Sequence, residues 1–256
     1  MLKAPLSRRF AALLLAAFTG VGNAGAAEIT VLTTGAFKPV AAELAARFQA
    51  ETGTTVKVEN DTAGALVRKV EGGATFDVLI LTPGALADFA KKGKVAEPVT
   101  ELARVGIGVA VKEGAARPDI ATVDGFKRTL LAAKSVAMID PAAGGSSGIY
   151  LEKLFERLGI AQEMKAKAVL VPGGLVATRV VSGEADIAIH QISEILAVKG
   201  AVLVGPLPAE IQNFTVYAAA ASPTAHQPEA GAFLNLLSGP QAASVLEAKG
   251  MVPPAR

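Results

Sequence analysis

The sequence predicts an α/β protein of two lobes, each a mostly parallel sheet flanked by helices, with a ligand cleft between them. Three observations predict it. Strand and helix patterns alternate along residues 28–190, the signature of parallel sheets with helices on their faces. The 256 residues exceed what one small core needs and suit two domains of modest size. No flexible linker and no internal repeat separates the α/β units, so strands rather than a tether are expected to join them.

The elements follow in order. Glu28 to Thr33 reads as a buried strand through Ile29, Val31 and Leu32. After the Thr34-Gly35-Ala36 turn, Pro39 can open a helix without losing a hydrogen bond. Val40, Leu44 and Phe48 recur at helical spacing until Gly53. A strand at Val56–Glu59 leads through Asp61–Gly64 into a helix carrying Leu66, Val67 and Val70, which Gly72-Gly73 stops. Phe76–Leu81 is a continuous apolar strand, and Thr82-Pro83 opens a helix closed by Gly93. The second unit has strands at Gly106–Val111, Ser135–Ile139, Ala168–Val171 and Asp186–His190. Helices are expected at Phe126–Ala133, Gly148–Leu158 and Leu175–Ser182. Ala201–Val204 and Phe214–Ala220 are late strands. Helices at Pro228–Leu237 and Pro240–Ala248 end the chain, each with proline first.

Composition limits the function. Just over half of the residues are apolar, enough for a substantial core and not the make-up of a disordered tail. Lys3, Arg8 and Arg9 precede an apolar run at Phe10–Val21 and the small residues Ala24-Gly25-Ala26. This is the three-part plan of a secretory signal, too short in its apolar part for a committed membrane span. Cleavage is expected near Ala26 and places the mature chain in the periplasm. Ser7-Arg8-Arg9-Phe10 resembles part of a twin-arginine signal, so the general and the twin-arginine export routes both stay open. Without those three bases the chain holds 22 basic and 23 acidic residues, which offers nucleic acid no electrostatic footprint. Cysteine is absent, which removes disulfides, thiolate nucleophiles, thiolate-held metals and a lipid anchor. No His-x-x-x-His, acidic calcium loop, P-loop or nucleophile elbow occurs, so neither metal nor cofactor is expected.

In open α/β sheets ligands bind beyond the carboxyl ends of the strands. The turns there are Thr34-Gly35-Ala36, Thr62-Ala63-Gly64, the run through Ser146-Ser147-Gly148, Gly173-Gly174 and His190-Gln191. Most precede a helix, whose free N–H groups and dipole favour an anion. Serines at such a position also serve as plain helix caps. His190 ends an apolar strand and is either a cleft residue or a satisfied structural histidine. Arg68 and Arg179, each on a helix just past such a turn, could hold a carboxylate bidentately or lie solvated. His226 falls in a polar turn.

These turns resemble those of the molybdate-binding proteins of ABC importers, a branch of the type II periplasmic binding proteins. The resemblance rests on Glu28-Ile29-Thr30-Val31, on Gly72 to Ile80, on Asp140-Pro141 followed by Ser147-Gly148-Ile149-Tyr150, on Gly183 to Ile187, on Ser193-Glu194 and on Gly239 to Ala243. It implies two lobes joined by crossing strands, closing over one small anion, with a membrane permease as partner. Residues 1–26 are then a signal peptide, 27–106 with 216–256 the first lobe, and 107–215 the second. A monomer without nucleic-acid partners is expected. The chain departs from the family where Ala36 and Ala63 replace serine hydroxyls and where Gln191, beside His190, replaces a tyrosine. Ser146 and Ser147 are gained with one extra residue. Each lost donor would cost a tetrahedral oxyanion about 1–3 kcal/mol, which points away from molybdate and toward an organic carboxylate.

Periplasmic aconitate isomerase is similar to the same group. That leaves two readings. The preferred one is a substrate-binding protein for an importer. The alternative is an isomerase that shifts a proton between carbons alpha to carboxylates, with His190 as its base and Thr62, Arg68, Ser146 and Ser147 as carboxylate clamps.

Overall fold

The computed structural model describes residues 27–225 and 228–254. The secretory signal expected at residues 1–26 and His226 therefore lie outside the described residues. Strand β1 (Glu28–Thr34) leads through Gly35–Phe37 into α1 (Lys38–Thr52), then β2 (Thr55–Asp61), α2 (Ala63–Glu71), β3 (Val78–Leu81) and α3 (Pro83–Lys91). The long β4 (Thr100–Lys112) is followed by α4 (Val123–Ala132), β5 (Val136–Ile139), α5 (Ser146–Arg157), α6 (Ala161–Lys167) and β6 (Ala168–Val171). Then come α7 (Thr178–Ser182), β7 (Ile187–Gln191), α8 (Ile192–Leu196), β8 (Ala201–Pro206), β9 (Phe214–Ala221), α9 (Glu229–Ser238) and α10 (Pro240–Ala248).

The strands run in the order β2-β1-β3-β9-β4-β7-β5-β6, with β8 also on β4. In the first lobe β1 lies parallel to β2 and β3; in the second, β5 lies parallel to β6 and β7. Each parallel trio is joined to the rest by antiparallel pairing, through β9 in one lobe and β4 in the other.

Strand β4 belongs to both lobes. Thr100 to Gly106 pair with β9, and Ile107 to Ala110 pair with β7. At the hand-over the side-chain amide of Gln212 stands in for a strand. Its Oε1 accepts from the Ile107 N–H and its Nε2 donates to the Ile107 carbonyl, both at 2.9 Å. Buried backbone groups must be paired, and this amide pairs them where the chain changes neighbours.

Helices cover both faces of each sheet. In the first lobe α1, α9 and α10 bury Val40, Leu44, Phe48, Phe233 and Val245 against one face. Leu66, Val70, Leu86 and Phe89 of α2 and α3 cover the other. In the second, Phe126, Leu151, Phe155 and Met164 pack on one side, and Val176, Val180 and Ile195 on the other. The apolar strand Val78–Leu81 is buried at every position, as expected of a strand covered on both faces.

Several features differ from the sequence reading: β4 starts at Thr100 rather than Gly106, α4 at Val123 rather than Phe126, and α7 at Thr178 rather than Leu175. The α5 helix starts at Ser146, two residues before the expected Gly148. The short helices α6 and α8 were not expected. Pro228 stands as the cap before α9, not inside its first turn.

Candidate functional site

The carboxyl ends of β1, β2, β5 and β7 converge on one cavity between the lobes, of about 110 Å³. Strand β1 contributes Thr34, followed by Gly35 and Ala36; Thr62 and Ala63 come from the turn into α2. The second lobe contributes Ser146, Ser147, Gly174, His190 and Gln191. The space suits a small anion rather than a drug-sized molecule.

The lobes meet at the rim. Thr62 Oγ1 donates to the Ala143 carbonyl at 2.6 Å, and the Gly64 N–H donates to the Gly144 carbonyl at 3.1 Å. Ser193 Oγ donates to the Ala36 carbonyl at 2.8 Å. Gly64 and Gly144 touch backbone to backbone. A Cβ on Gly64 would stand 2.9 Å from Gly144 Cα, and Gly144 itself has φ +80°, so glycine is required there on both steric and conformational grounds.

The deepest feature is an acid–base pair. His190, at the end of β7, and Glu194, four residues on in α8, are 3% and 7% exposed. Their Nε2 and Oε2 atoms are 3.2 Å apart. Burial disfavours both charged forms, pushing His190 down to about 3 and Glu194 up to about 8. Near neutral pH the pair is therefore an uncharged imidazole beside a protonated carboxyl. The sequence marked His190 as the base; burial lowers its pKa and raises that of Glu194 beside it. Gly35 makes room for Glu194, because a Cβ there would collide with its Oε1.

A second polar chain crosses the cavity. Gln191 Nε2 donates to Ser146 Oγ at 3.1 Å and to Thr215 Oγ1 at 2.9 Å. The Thr215 hydroxyl donates in turn to Ser146 Oγ at 3.3 Å. The buried Tyr217 hydroxyl bonds with Thr34 and Ser146, and burial holds its pKa well above the usual phenol range. At the α5 N-terminus no side chain caps the helix, and Gly145, Ser146 and Ser147 face the cavity. Those N–H groups can hold an anion without a cation.

Four residues marked in the sequence lie outside this wall. Arg68 is exposed on α2. Gly64 is spent on the contact with Gly144. Gly148 packs α5 against β5, since a Cβ would run into the Ile139 carbonyl. Gly173 is exposed, with nothing near its would-be Cβ. Arg179, also weighed, pairs with Glu184 at 3.0 Å. Asp61 and Gly145, in turns marked from the sequence, also line the cavity, whereas Asn60, Ile139, Glu194 and Tyr217 line it without having been candidate site residues. For Glu194 the available signal was its place one helical turn after His190. For Tyr217 it was the rarity of tyrosine, of which the chain has two.

The chain is 33% identical to an aconitate isomerase from a Pseudomonas species over 250 residues, covering 94% of each protein. It is 28% identical to the molybdate-binding protein ModA of Escherichia coli K12 over 242 residues, covering 91% of this chain and 93% of that one. Among solved structures, the periplasmic molybdate-binding protein of Azotobacter vinelandii superposes with a TM-score of 0.74 at 20% identity, covering 89% of this chain and all of that one. The sulfate-binding protein SubI of Mycobacterium tuberculosis gives 0.68 at 20% identity, covering 89% and 87%. Residues 29–252 match the family described as bacterial extracellular solute-binding protein, and with the two-lobed fold built around strand β4 they make this chain a member of that family.

Proposed function

We propose that this protein binds a small organic carboxylate between its lobes and isomerises it by moving a proton between carbons alpha to carboxylates, as an enzyme of the aconitate isomerase type. The observation that carries the reading is the buried His190–Glu194 pair lining the cavity. Holding an anion needs N–H groups and hydroxyls; it does not need a desolvated carboxyl, which opposes an anion whenever it ionises. A carboxyl poised near neutral pH is what proton transfer needs. The 33% identity with aconitate isomerase supports the same choice.

In this account the N–H groups at the start of α5 hold carboxylates, with Thr34, Ser146 and Ser147 as further donors, while the Thr62 hydroxyl is held on the Ala143 carbonyl. Ionised Glu194, adjoining neutral His190, takes the proton from the carbon alpha to a carboxylate. The C–H bond breaks, the double bond moves along the chain, and Glu194 returns the proton at the far carbon. Nothing else is gained or lost. His190 keeps Glu194 in place and can share its proton.

The molecule works in the periplasm as a monomer, without metal or cofactor. The division into residues 27–106 with 216–256 and residues 107–215 is supported by the change of partner at Gly106 and Ile107.

A second reading is a substrate-binding protein that hands the same anion to an ABC permease. It is favoured by the cavity wall, which among the described residues contains no Lys or Arg, so the anion is held by dipoles and hydroxyls alone. A thermal-shift panel with molybdate, sulfate, aconitate and citrate, followed by incubation with each hit, separates the two. A ligand that binds only the folded state raises the melting temperature. Stabilisation by aconitate with appearance of its isomer supports the enzyme. Stabilisation without conversion assigns the carrier.

A further inference from the structure

Asn60 is the unspent amide of the cavity wall. It stands next to last in β2, lines the cavity and is half-buried. Among the described residues its side chain has no hydrogen-bond partner, and neither of its amide atoms is sealed from solvent. The other amide of the wall, Gln191, is tied to Ser146 and Thr215. An asparagine side chain carries two N–H donors and one acceptor. With nothing holding it, the Asn60 amide is free to turn its donors toward an anion in the cavity.

Its place beside Glu194 gives those donors a task. The point that a Cβ on Gly35 would occupy is overlapped by Glu194 Oε1 and lies 3.8 Å from Asn60 Nδ2. The two side chains, one from each lobe, therefore flank the same gap over Gly35. When Glu194 takes a proton from the carbon next to a ligand carboxylate, the electron pair of the C–H bond spreads onto that carboxylate. Its oxygens are two bonds from the reacting carbon, so they fall within about 6 Å of the base. A donor that meets them must stand close to Glu194, as Asn60 does. Among the described residues the wall holds no Lys or Arg, so the added charge has to be met by neutral donors fixed in place beforehand.

We infer that Asn60 is a catalytic residue of the proposed isomerisation: its amide N–H groups bind the carboxylate beside the carbon that Glu194 deprotonates, and stabilise the charge that builds there. This rests on the isomerase reading of the cavity. The carboxylate carries one extra negative charge while Glu194 holds the proton. It gives that charge up when the proton reaches the far carbon.

The test compares the unaltered protein with Asn60→Leu and Asn60→Asp, which keep roughly the size of the side chain and remove its donors. The probe is cis-aconitate. Calorimetric titration gives Kd, and steady-state kinetics give kcat and KM. Asn60→Leu should lower kcat by about a hundredfold, as the loss of one such donor does, while Kd rises by less than about tenfold. Asn60→Asp, with a charge in place of the donors, should be at least as slow. A kcat within about threefold of the unaltered protein in both variants, or a loss confined to Kd, overturns the inference and leaves the isomerase reading standing. Should the unaltered protein bind cis-aconitate without converting it, the isomerase reading fails and the inference fails with it. If Asn60→Leu does not fold, Asn60→Asp decides.

Discussion

Glu194 Oε2 lies 3.2 Å from His190 Nε2, and its other oxygen fills the space that any side chain at position 35 would need. One residue of the second lobe is thus set by a histidine of its own lobe and by a glycine of the other. The acid–base pair lies wholly within the second lobe, and the first lobe leaves room for it at Gly35.

The pair should leave its mark on stability against pH. Glu194 is raised from 4.5 to about 8 in the folded protein. Between those values the native state holds a proton that the unfolded chain has released, so stability falls as pH rises. His190 is lowered from 6.5 to about 3, so between those values the unfolded chain holds the extra proton and stability rises with pH. The two slopes cancel between 4.5 and 6.5. Stability should therefore rise up to pH 4.5, stay level to 6.5, and fall toward 8, each limb being on the order of 2 kcal/mol. Urea titrations across pH measure this. Glu194→Gln should abolish the upper fall.

Activity and affinity should move in opposite directions with pH. Ionised Glu194 is the base but repels the anion. Turnover should climb toward a plateau above about pH 8 while affinity drops over the same range. Steady-state kinetics beside calorimetric titration give both curves. Parallel curves would contradict the assignment.

Closure depends on Gly64. It has no left-handed backbone, so alanine there meets only one obstacle, Gly144 Cα at 2.9 Å. Gly64→Ala should fold normally, weaken ligand binding by roughly tenfold or more, and show a larger radius of gyration with ligand present. Small-angle scattering with and without ligand reads the change.

Gly35→Ala should act on Glu194 alone. The added methyl displaces the carboxyl from His190, so turnover should fall by at least about tenfold. Binding should change far less, which kinetics and titration together will show.

The core of the first lobe includes the end of the chain. Phe233 is fully buried and stands edge-on to Phe48 at 5.4 Å. Phe233→Ala should cost about 3–5 kcal/mol in urea unfolding.

Much of this was legible in the sequence, for identifiable reasons. Apolar runs such as Val78–Leu81 and Ile187–Ile189 announce buried strands, and in such sheets the turns after them lead to the ligand. That rule brings Thr34, Thr62, Ser146 and Gln191 to one cavity wall. It does not say which face of a following helix looks inward, so Arg68, the sixth residue of α2, and Gly148, the third of α5, lie elsewhere. Glu194 was missed because α8 has only five residues, too few to show a period. Residues 100–105 of β4 were missed because Glu101 and Arg104 interrupt the apolar run; both point outward, and Arg104 stacks on the Phe214 ring at 4.8 Å.

The most direct test of proton transfer is to hold the protein with cis-aconitate in deuterium oxide and follow the ligand by proton NMR. The account predicts trans-aconitate, with deuterium entering at a carbon alpha to a carboxylate, and predicts that Glu194→Gln binds the ligand without either change. A protein that binds aconitate yet leaves it unconverted and undeuterated would contradict the account and identify a carrier instead.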